Sequence, residues 1–357
     1  MAMRVLIMAG GTGGHIFPAL AVAEELKTQG CEVLWLGTRA GLEADIVPRA
    51  GFPISFIAVS GLRGKGILSW VLAPYKLGLA FLQALMLITR LKPTLVLGMG
   101  GFVTGPGGLV AWLLDKPLVI HEQNSIAGLT NRLLAPIASR VLEAFPGSLH
   151  TKYHPQHTGN PVRVAIATLA SLTRPGRPGP LRLLVLGGSR GARALNEVMP
   201  RALATLATAQ RPEVWHQTGA EHLATAQQEY RAAHVTARLE PFIDDMAAAY
   251  SWADLVLCRA GALTIAELAC AGVASILVPY PFAVDDHQTH NARYLTDANA
   301  ALLVPQSQLT PHALATLLAD LQRTPERVRA MAAAAHRLAR PDAATRVTDV
   351  CREVAHV

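Results

Sequence analysis

The sequence predicts an α/β protein made of two parallel-sheet domains. Three observations predict it. Short, near-continuous apolar runs alternate with segments of helical periodicity along most of the chain, the pattern of parallel strands covered by helices on both faces. A strand, a glycine-rich loop and a helix follow one another twice, first from Arg4 and again from Leu181. Between the halves lies Thr173-Arg174-Pro175-Gly176-Arg177-Pro178-Gly179-Pro180, the strongest break in the chain. The length, 357 residues, suits two domains of about 150 residues each. The expected division is a Rossmann-like domain over 1–161, a linker over 162–180 and a second Rossmann-like domain over 181–341. The final helix, 342–357, is expected to pack back on the first domain. Two such sheets are expected to face each other across a cleft lined by the carboxyl ends of their strands, where ligands bind in open α/β sheets.

The first strand is Arg4-Val5-Leu6-Ile7-Met8-Ala9, and the loop after it is Gly10-Gly11-Thr12-Gly13-Gly14-His15-Ile16-Phe17-Pro18. Helical periodicity runs from Ala19 to Gly30. Such a loop lets backbone N–H groups approach an anion at a helix N-terminus. It is not a dinucleotide fingerprint, because Ile16 stands where the third glycine belongs. His15, of the residue type most used for proton transfer near neutral pH, closes the loop. A turn with a packed histidine fits the local sequence equally well.

Further strands are expected at Cys31–Leu36, Ile54–Val59, Thr94–Gly98, Leu118–His121 and Arg140–Ala144, with loop from Pro155 to Pro161. The segment Leu68 to Leu91 is almost wholly apolar, apart from Lys76, Gln83 and Arg90 spaced by seven. It reads either as a core helix or as a helix that touches a lipid surface, with Arg63, Lys65 and Lys92 nearby for anionic headgroups. A second glycine cluster, Gly98-Met99-Gly100-Gly101-Phe102-Val103-Thr104-Gly105-Pro106-Gly107-Gly108, follows a strand and strengthens a phosphate-binding reading of that edge. At the next strand end stands His121-Glu122-Gln123-Asn124, suited to sugar hydroxyls or to a satisfied internal network.

In the second half, strands are expected at Leu181–Leu186, Glu213–Gln217, Ala237–Leu239, Asp254–Cys258, Ser275–Val278 and Ala301–Val304. The loop Gly187-Gly188-Ser189-Arg190-Gly191-Ala192 repeats the opening pattern. Arg259-Ala260-Gly261-Ala262-Leu263-Thr264-Ile265-Ala266-Glu267 offers Thr264 to a phosphate. Its Glu267 suits a ribose diol or simply the helix N-terminus. Asp285-Asp286-His287-Gln288-Thr289-His290-Asn291 lacks metal-ligand spacing and reads as a polar loop with Gln288 toward the cleft.

Apolar residues make up 51% of the chain and charged ones 16%, enough for two cores. A net charge of +7 and a pI near 9.5 suit an anionic partner. Aromatics are 5% and no Lys/Arg run occurs, which argues against nucleic acid. Cys31, Cys258, Cys270 and Cys351 are expected to be free thiols. No signal peptide and no spanning segment are expected.

Eight motifs in order resemble the MurG family, the N-acetylglucosaminyltransferases of bacterial peptidoglycan synthesis. They are Gly10–Pro18, Ser60-Gly61-Leu62-Arg63-Gly64-Lys65-Gly66, Gly98–Gly108, His121–Asn124, Gly159-Asn160-Pro161-Val162-Arg163, Gly187–Ala192, Phe242-Ile243-Asp244-Asp245-Met246 and Arg259–Glu267. The resemblance implies a GT-B fold and transfer of N-acetylglucosamine from UDP-GlcNAc to the C4 hydroxyl of lipid I. Lipid II and UDP would be released, with inversion and with neither metal nor cofactor. It also implies peripheral attachment to an anionic surface, the cytoplasmic face of the inner membrane. The donor site carried over by motif is Thr12, Gly13, Gly14, Asn124, Arg163, Ser189, Ile243, Ala262, Leu263, Thr264, Ile265, Ala266, Glu267 and Gln288. Within it Glu267 would hold the ribose, and the Ile243 backbone would meet the uracil. Ser189 and its helix would face the diphosphate. His15 resembles the family's proposed general base, with Glu122 as the rival proton acceptor. Arg190 departs from the family, which often has glutamine there. A nicotinamide-dependent oxidoreductase is disfavoured because no acidic residue ends the second strand (Trp35-Leu36-Gly37). A non-catalytic nucleotide-sugar binder is disfavoured by the joint presence of His15, Glu122 and Glu267.

Overall fold

The computed structural model describes residues 3–59, 72–172, 179–188 and 191–355. The chain divides into two compact units: Met1–Arg163 with Asp342–Val357, and Val164–Pro341. The motif at 60–66, the residues Ser189 and Arg190, and the linker stretch 173–178 lie outside the described residues.

The first unit holds a seven-stranded parallel sheet of β1 (Arg4–Met8), β2 (Glu32–Gly37), β3 (Ile54–Phe56), β4 (Leu95–Gly98), β5 (Leu118–Glu122), β6 (Arg140–Glu143) and β7 (Gln156–His157), in the order β3-β2-β1-β4-β5-β6-β7. Alternate residues of β1 point to opposite faces, so each face has its own core. Val5 and Ile7 pack with Trp35, Leu97 and helix α1 (Gly13–Thr28). Leu6 and Met8 pack with Val96, Ile120 and the other side's helices. The strand order reverses direction between β1 and β4, the switch point at whose carboxyl ends ligands bind in open α/β sheets. Strand β7, two residues long, falls in the stretch read from sequence as loop; it carries too few apolar residues to signal itself.

Helices α2 (Glu43–Arg49), α3 (Ala73–Leu91), α4 (Thr104–Leu113) and α5 (Leu129–Leu134) complete this run. Helix α3 inverts the usual amphipathic arrangement. Its buried stripe is Ala80, Ala84 and Ile88, whereas Tyr75 (72% exposed), Leu82 (54%) and Met86 (64%) face outward. Gln83 does not sit on a solvated polar line; its Oε1 accepts from the N–H of Ala58 at 2.7 Å. No helix among the described residues is long and apolar enough to cross a membrane.

The second unit has six parallel strands: β8 (Arg182–Leu186), β9 (Glu213–Gln217), β10 (Arg238–Glu240), β11 (Leu255–Cys258), β12 (Ala274–Leu277) and β13 (Ala301–Leu303), in the order β10-β9-β8-β11-β12-β13. Its helices are α6 (Val164–Ala167), α7 (Arg193–Thr205), α8 (Leu223–Ala232), α9 (Met246–Trp252), α10 (Ala262–Ala271), α11 (His287–Thr296), α12 (Pro311–Arg323) and α13 (Pro325–Arg337). Two of them begin with side-chain caps: Asp245 Oδ1 accepts from Ala248 N (2.9 Å), and Thr310 Oγ1 accepts from Ala313 N (3.1 Å). The first part of the expected linker is helical. Helix α6 and the 3₁₀ turn Thr168–Ser171 pack on α10, so the stretch from Val164 belongs to this unit.

After Pro341 the chain returns to the first unit as α14 (Ala343–Val354), which packs on α1. Val347, Cys351 and Val354 join the core of Leu20 and Val22. Arg352 reaches Gln29 Oε1 (3.1 Å), and Arg140 pairs with Glu353 (3.1 Å).

Candidate active site

In the first unit the site grows from the switch point between β1 and β4. The extended backbone of Thr12 (φ −117°, ψ 157°) starts α1, and its carbonyl accepts from the N–H groups of His15 (3.1 Å) and Ile16 (3.2 Å). His15 is thereby held on the first turn, half-buried. Its Nδ1 lies 2.9 Å from Gln123 Oε1, reaching from the end of β5. The loop after β4 comes down on this pair. A methyl group at Gly100, where φ is +90°, would sit 2.6 Å from His15 Nδ1, and one at Gly101 would strike the carbonyl oxygen of Gly10. These two glycines of the second cluster therefore serve close packing, a reason that the phosphate reading of the cluster did not contain.

Gln123 also donates from Nε2 to the carbonyl of Met99 (3.0 Å) and lies 3.3 Å from His121 Nδ1. His121 is fully buried, and desolvation pulls its pKa down to about 4; its Nε2 meets the carbonyl of Gly159 at 3.0 Å. Glu122 is buried as well. Its Oε1 accepts from the backbone N–H of Asn124 (2.9 Å), and its Oε2 from Gly128 N–H (3.0 Å) and Asn131 Nδ2 (2.9 Å). That makes Glu122 a bracket for the loop 124–128. Arg163 lies over the Phe17 ring at 5.8 Å. Thr12 and Gly14 are exposed, and Gly13 is half-buried.

Sequence reasoning missed Glu43. This carboxylate is fully buried behind the first glycine loop and accepts from Gly11 N–H (3.0 Å), Thr38 N–H (2.9 Å) and Thr38 Oγ1 (2.8 Å). Gly10, Gly37 and Gly41 make room for it: a methyl at Gly10 would stand 2.6 Å from Glu43 Oε1. The N–H of Gly11 is thus spent on a carboxylate rather than offered to an anion. The available signal was an acidic residue opening a helix just after β2 and flanked by glycines.

The second unit repeats the switch point, between β8 and β11. Gly191 (φ +75°) lies against the carbonyl of Thr218, where any side chain would collide. Gln217, at the end of β9, joins two loops: its Nε2 donates to Gly188 O (3.0 Å), and its Oε1 accepts from the N–H of Ile243 (2.9 Å). This second residue missed from sequence occupies the Ile243 N–H and ties the loop that carries it to the loop after β8. Helix α10 opens with Ala262, Leu263 and Thr264 after Gly261, and Ile265 is buried. Glu267, on its second turn beyond Ala266, is buried and accepts from Tyr250 Oη at 3.0 Å. Gln288 Oε1 accepts from Tyr280 N–H (2.9 Å) and so shapes the loop before α11. Arg259 is structural: it donates to the carbonyls of Val278 and Pro279 and to Gln306 Oε1 (2.6 Å). No group of three His, Cys, Asp or Glu side chains among the described residues forms a metal-binding cluster.

Residues 5–143 match the model of the glycosyltransferase family 28 N-terminal domain, and residues 182–347 that of its C-terminal domain. The chain is 59% identical, over 99% of both sequences, to the UDP-N-acetylglucosamine--N-acetylmuramyl-(pentapeptide) pyrophosphoryl-undecaprenol N-acetylglucosamine transferase of Nitrosococcus oceani. The chain belongs to the MurG branch of glycosyltransferase family 28. A relative of the same description from Stutzerimonas stutzeri is 54% identical over the full length of both. Among solved structures, the MurG of Acinetobacter baumannii superposes with a TM-score of 0.83 at 42% identity, covering 98% of this chain and 99% of that one. This member of family 28 is therefore a glycosyltransferase, and its two parallel-sheet units are of the GT-B type. The motif residues of the family fall on both units: Thr12, Gly13, Gly14, His15, Asn124 and Arg163 on the first, and Ile243, Ala262 to Glu267 and Gln288 on the second.

Proposed function

We propose that the chain transfers N-acetylglucosamine from UDP-GlcNAc to the C4 hydroxyl of the N-acetylmuramyl unit of lipid I, forming lipid II and UDP with inversion and without a metal ion. One observation carries the catalytic half of the reading: His15 stands at the head of α1 with its Nδ1 held by Gln123. A ring anchored at one nitrogen has the other available to take a proton. Glu122 serves better as a structural bracket, because donors already engage both of its oxygens. As the acceptor oxygen attacks the anomeric carbon, His15 takes its proton, and the sugar–phosphate bond breaks on the opposite face. Negative charge develops on the departing diphosphate. Arg163, Thr264, the residues Thr12 to Gly14 and Ser189 with its loop are assigned to stabilise it. Glu267 is assigned to the ribose diol, the Ile243 carbonyl to the uracil, and Asn124 and Gln288 to the sugar.

The reading extends to the lipid. Large apolar side chains are exposed on α3 and also on α4, which packs on it, and on α5, which packs on α4: Trp112 and Leu113 (47% and 53% exposed) and Leu133. Lys76, Arg90 and Arg132 are exposed on the same helices. An apolar surface with cations fits docking on an anionic bilayer, where an undecaprenyl-linked acceptor resides. We assign the enzyme to the cytoplasmic face of the inner membrane on that basis.

The test is transfer of labelled N-acetylglucosamine from its UDP donor to a short-chain lipid I analogue. The wild-type chain turns over, and excess EDTA leaves the rate unchanged. His15→Ala lowers kcat by about 10²–10⁴-fold, the usual worth of a general base, with little change in UDP-GlcNAc affinity. If His15→Ala keeps near-normal turnover and Glu122→Gln does not, the proton goes to Glu122.

A further inference from the structure

We infer that Gln123, backed by His121, is a positioning residue that fixes the neutral ring of His15 with its hydrogen on Nδ1, so that the Nε2 lone pair meets the acceptor hydroxyl; this role rests on His15 as the base. The direction of every hydrogen bond in the chain follows from one end. A backbone carbonyl can only accept. Gly159 O lies 3.0 Å from His121 Nε2, so that nitrogen carries the hydrogen. His121 is fully buried and stays neutral at physiological pH, which leaves its Nδ1 as a bare acceptor. The amide of Gln123 then has three acceptors around one corner: His121 Nδ1 (3.3 Å), Met99 O (3.0 Å) and His121 O (3.3 Å). Only the NH₂ group fits that corner. Turned over, the amide would set its oxygen against two carbonyls and a lone pair. Its oxygen therefore faces His15 Nδ1 at 2.9 Å and, being an acceptor, requires a hydrogen there.

The arrangement suits the proton's path. The hydroxyl proton passes to Nε2, and the resulting imidazolium keeps its Nδ1–H bond to Gln123 Oε1, now strengthened by charge. Nothing in the chain of bonds has to turn. An aspartate does this work in the Ser-His-Asp triad, where loss of the correct tautomer costs about 10⁴-fold in kcat. Here a neutral amide does it, its own orientation fixed by a buried histidine. Gly100 keeps the space over the pair open, since a methyl there would also come within 3.3 Å of Gln123 Oε1.

Nitrogen NMR of the full-length chain labelled with ¹⁵N-histidine reads the tautomer directly. The His15 ring signals are assigned by their absence from His15→Ala. In the wild type at neutral to mildly alkaline pH the hydrogen is expected on Nδ1. In Gln123→Met, of similar volume and without an amide, it is expected to move to Nε2, with kcat falling about 10²–10³-fold and the KM for UDP-GlcNAc nearly unchanged. A wild-type ring with its hydrogen on Nε2 overturns the inference, as does a Gln123→Met variant with unchanged kcat. If His15→Ala retains turnover, the base assignment itself fails. If His15→Ala loses turnover while Gln123→Met keeps it, only the positioning role fails. Should Gln123→Met not fold, the wild-type spectrum decides.

Discussion

Gly100 is the residue on which the His15 geometry is most exposed to change. An added methyl meets the ring at 2.6 Å on a backbone with φ of +90°, so His15 must shift by a good fraction of an ångström. A displacement of that order can cost about 10²-fold, and Gly100→Ala is expected to lose turnover on that scale while binding UDP as before. Calorimetric titration with UDP beside a transfer assay checks both halves; undiminished kcat would show that the ring position is not critical. Glu267→Ala is expected to weaken UDP binding by about 1.5–3 kcal/mol, the range for hydrogen bonds to a charged group. It should also lower thermal stability, because the buried Tyr250 hydroxyl loses its bond to that carboxylate. Tyr250→Phe, which keeps the carboxylate, separates the two effects. The glycines of both clusters were legible as loops, but their reasons were not. Gly101 is required by Gly10, far away in sequence, and Gly10 by Glu43. Such contacts have no local signature. The same holds for Gln217, whose two bonds run to residues far from it in sequence.

Helix α3 shows where periodicity alone stops. Spacing identified an apolar helix but not which of its faces met the sheet. The small residues Ala80 and Ala84 take the inside and let the helix approach closely, and larger side chains are left outside. Leu77, Phe81 and Leu85 are spaced by four, yet they do not share one environment: Leu77 is exposed, whereas Phe81 and Leu85 pack against the core. The expectation is therefore split. Leu82→Ser with Met86→Ser should weaken binding to anionic vesicles at least about tenfold, since a buried apolar side chain is worth about 1.5–3 kcal/mol, with little loss of melting temperature. Phe81→Ser with Leu85→Ser should chiefly lower the melting temperature. Vesicle co-sedimentation beside differential scanning fluorimetry measures both; a Leu82/Met86 variant that binds vesicles like wild type would remove this face from the docking surface.

At the scale of the whole molecule, alternation of apolar runs was enough to read two parallel sheets, because buried parallel strands are apolar on both faces. The edge strand β7, two polar residues, and the helix α6, four apolar ones, escaped because neither is long enough to show a period. Each unit encloses one neutral histidine: His121 in the first, held near 4, and His216 in the second, held by burial near 3. In the unfolded chain both titrate at about 6.5. The unfolded state therefore takes up protons that the folded state refuses, and stability is full above about pH 6.5 and declines as pH falls toward 4. The melting temperature should be level above pH 7 and fall between pH 6.5 and 5, less steeply in His216→Phe; a melting temperature flat across that interval would contradict the linkage. The return of α14 has a further consequence, for the order of events during synthesis. The second unit is one continuous stretch, whereas the core of the first stays open on its α1 side until the last helix has been made. At about 5–20 residues per second, the roughly 180 intervening residues take about 10–35 s to appear. Through that interval the first core lacks the helix that covers its α1 side, so the half of the enzyme translated first is the half completed last.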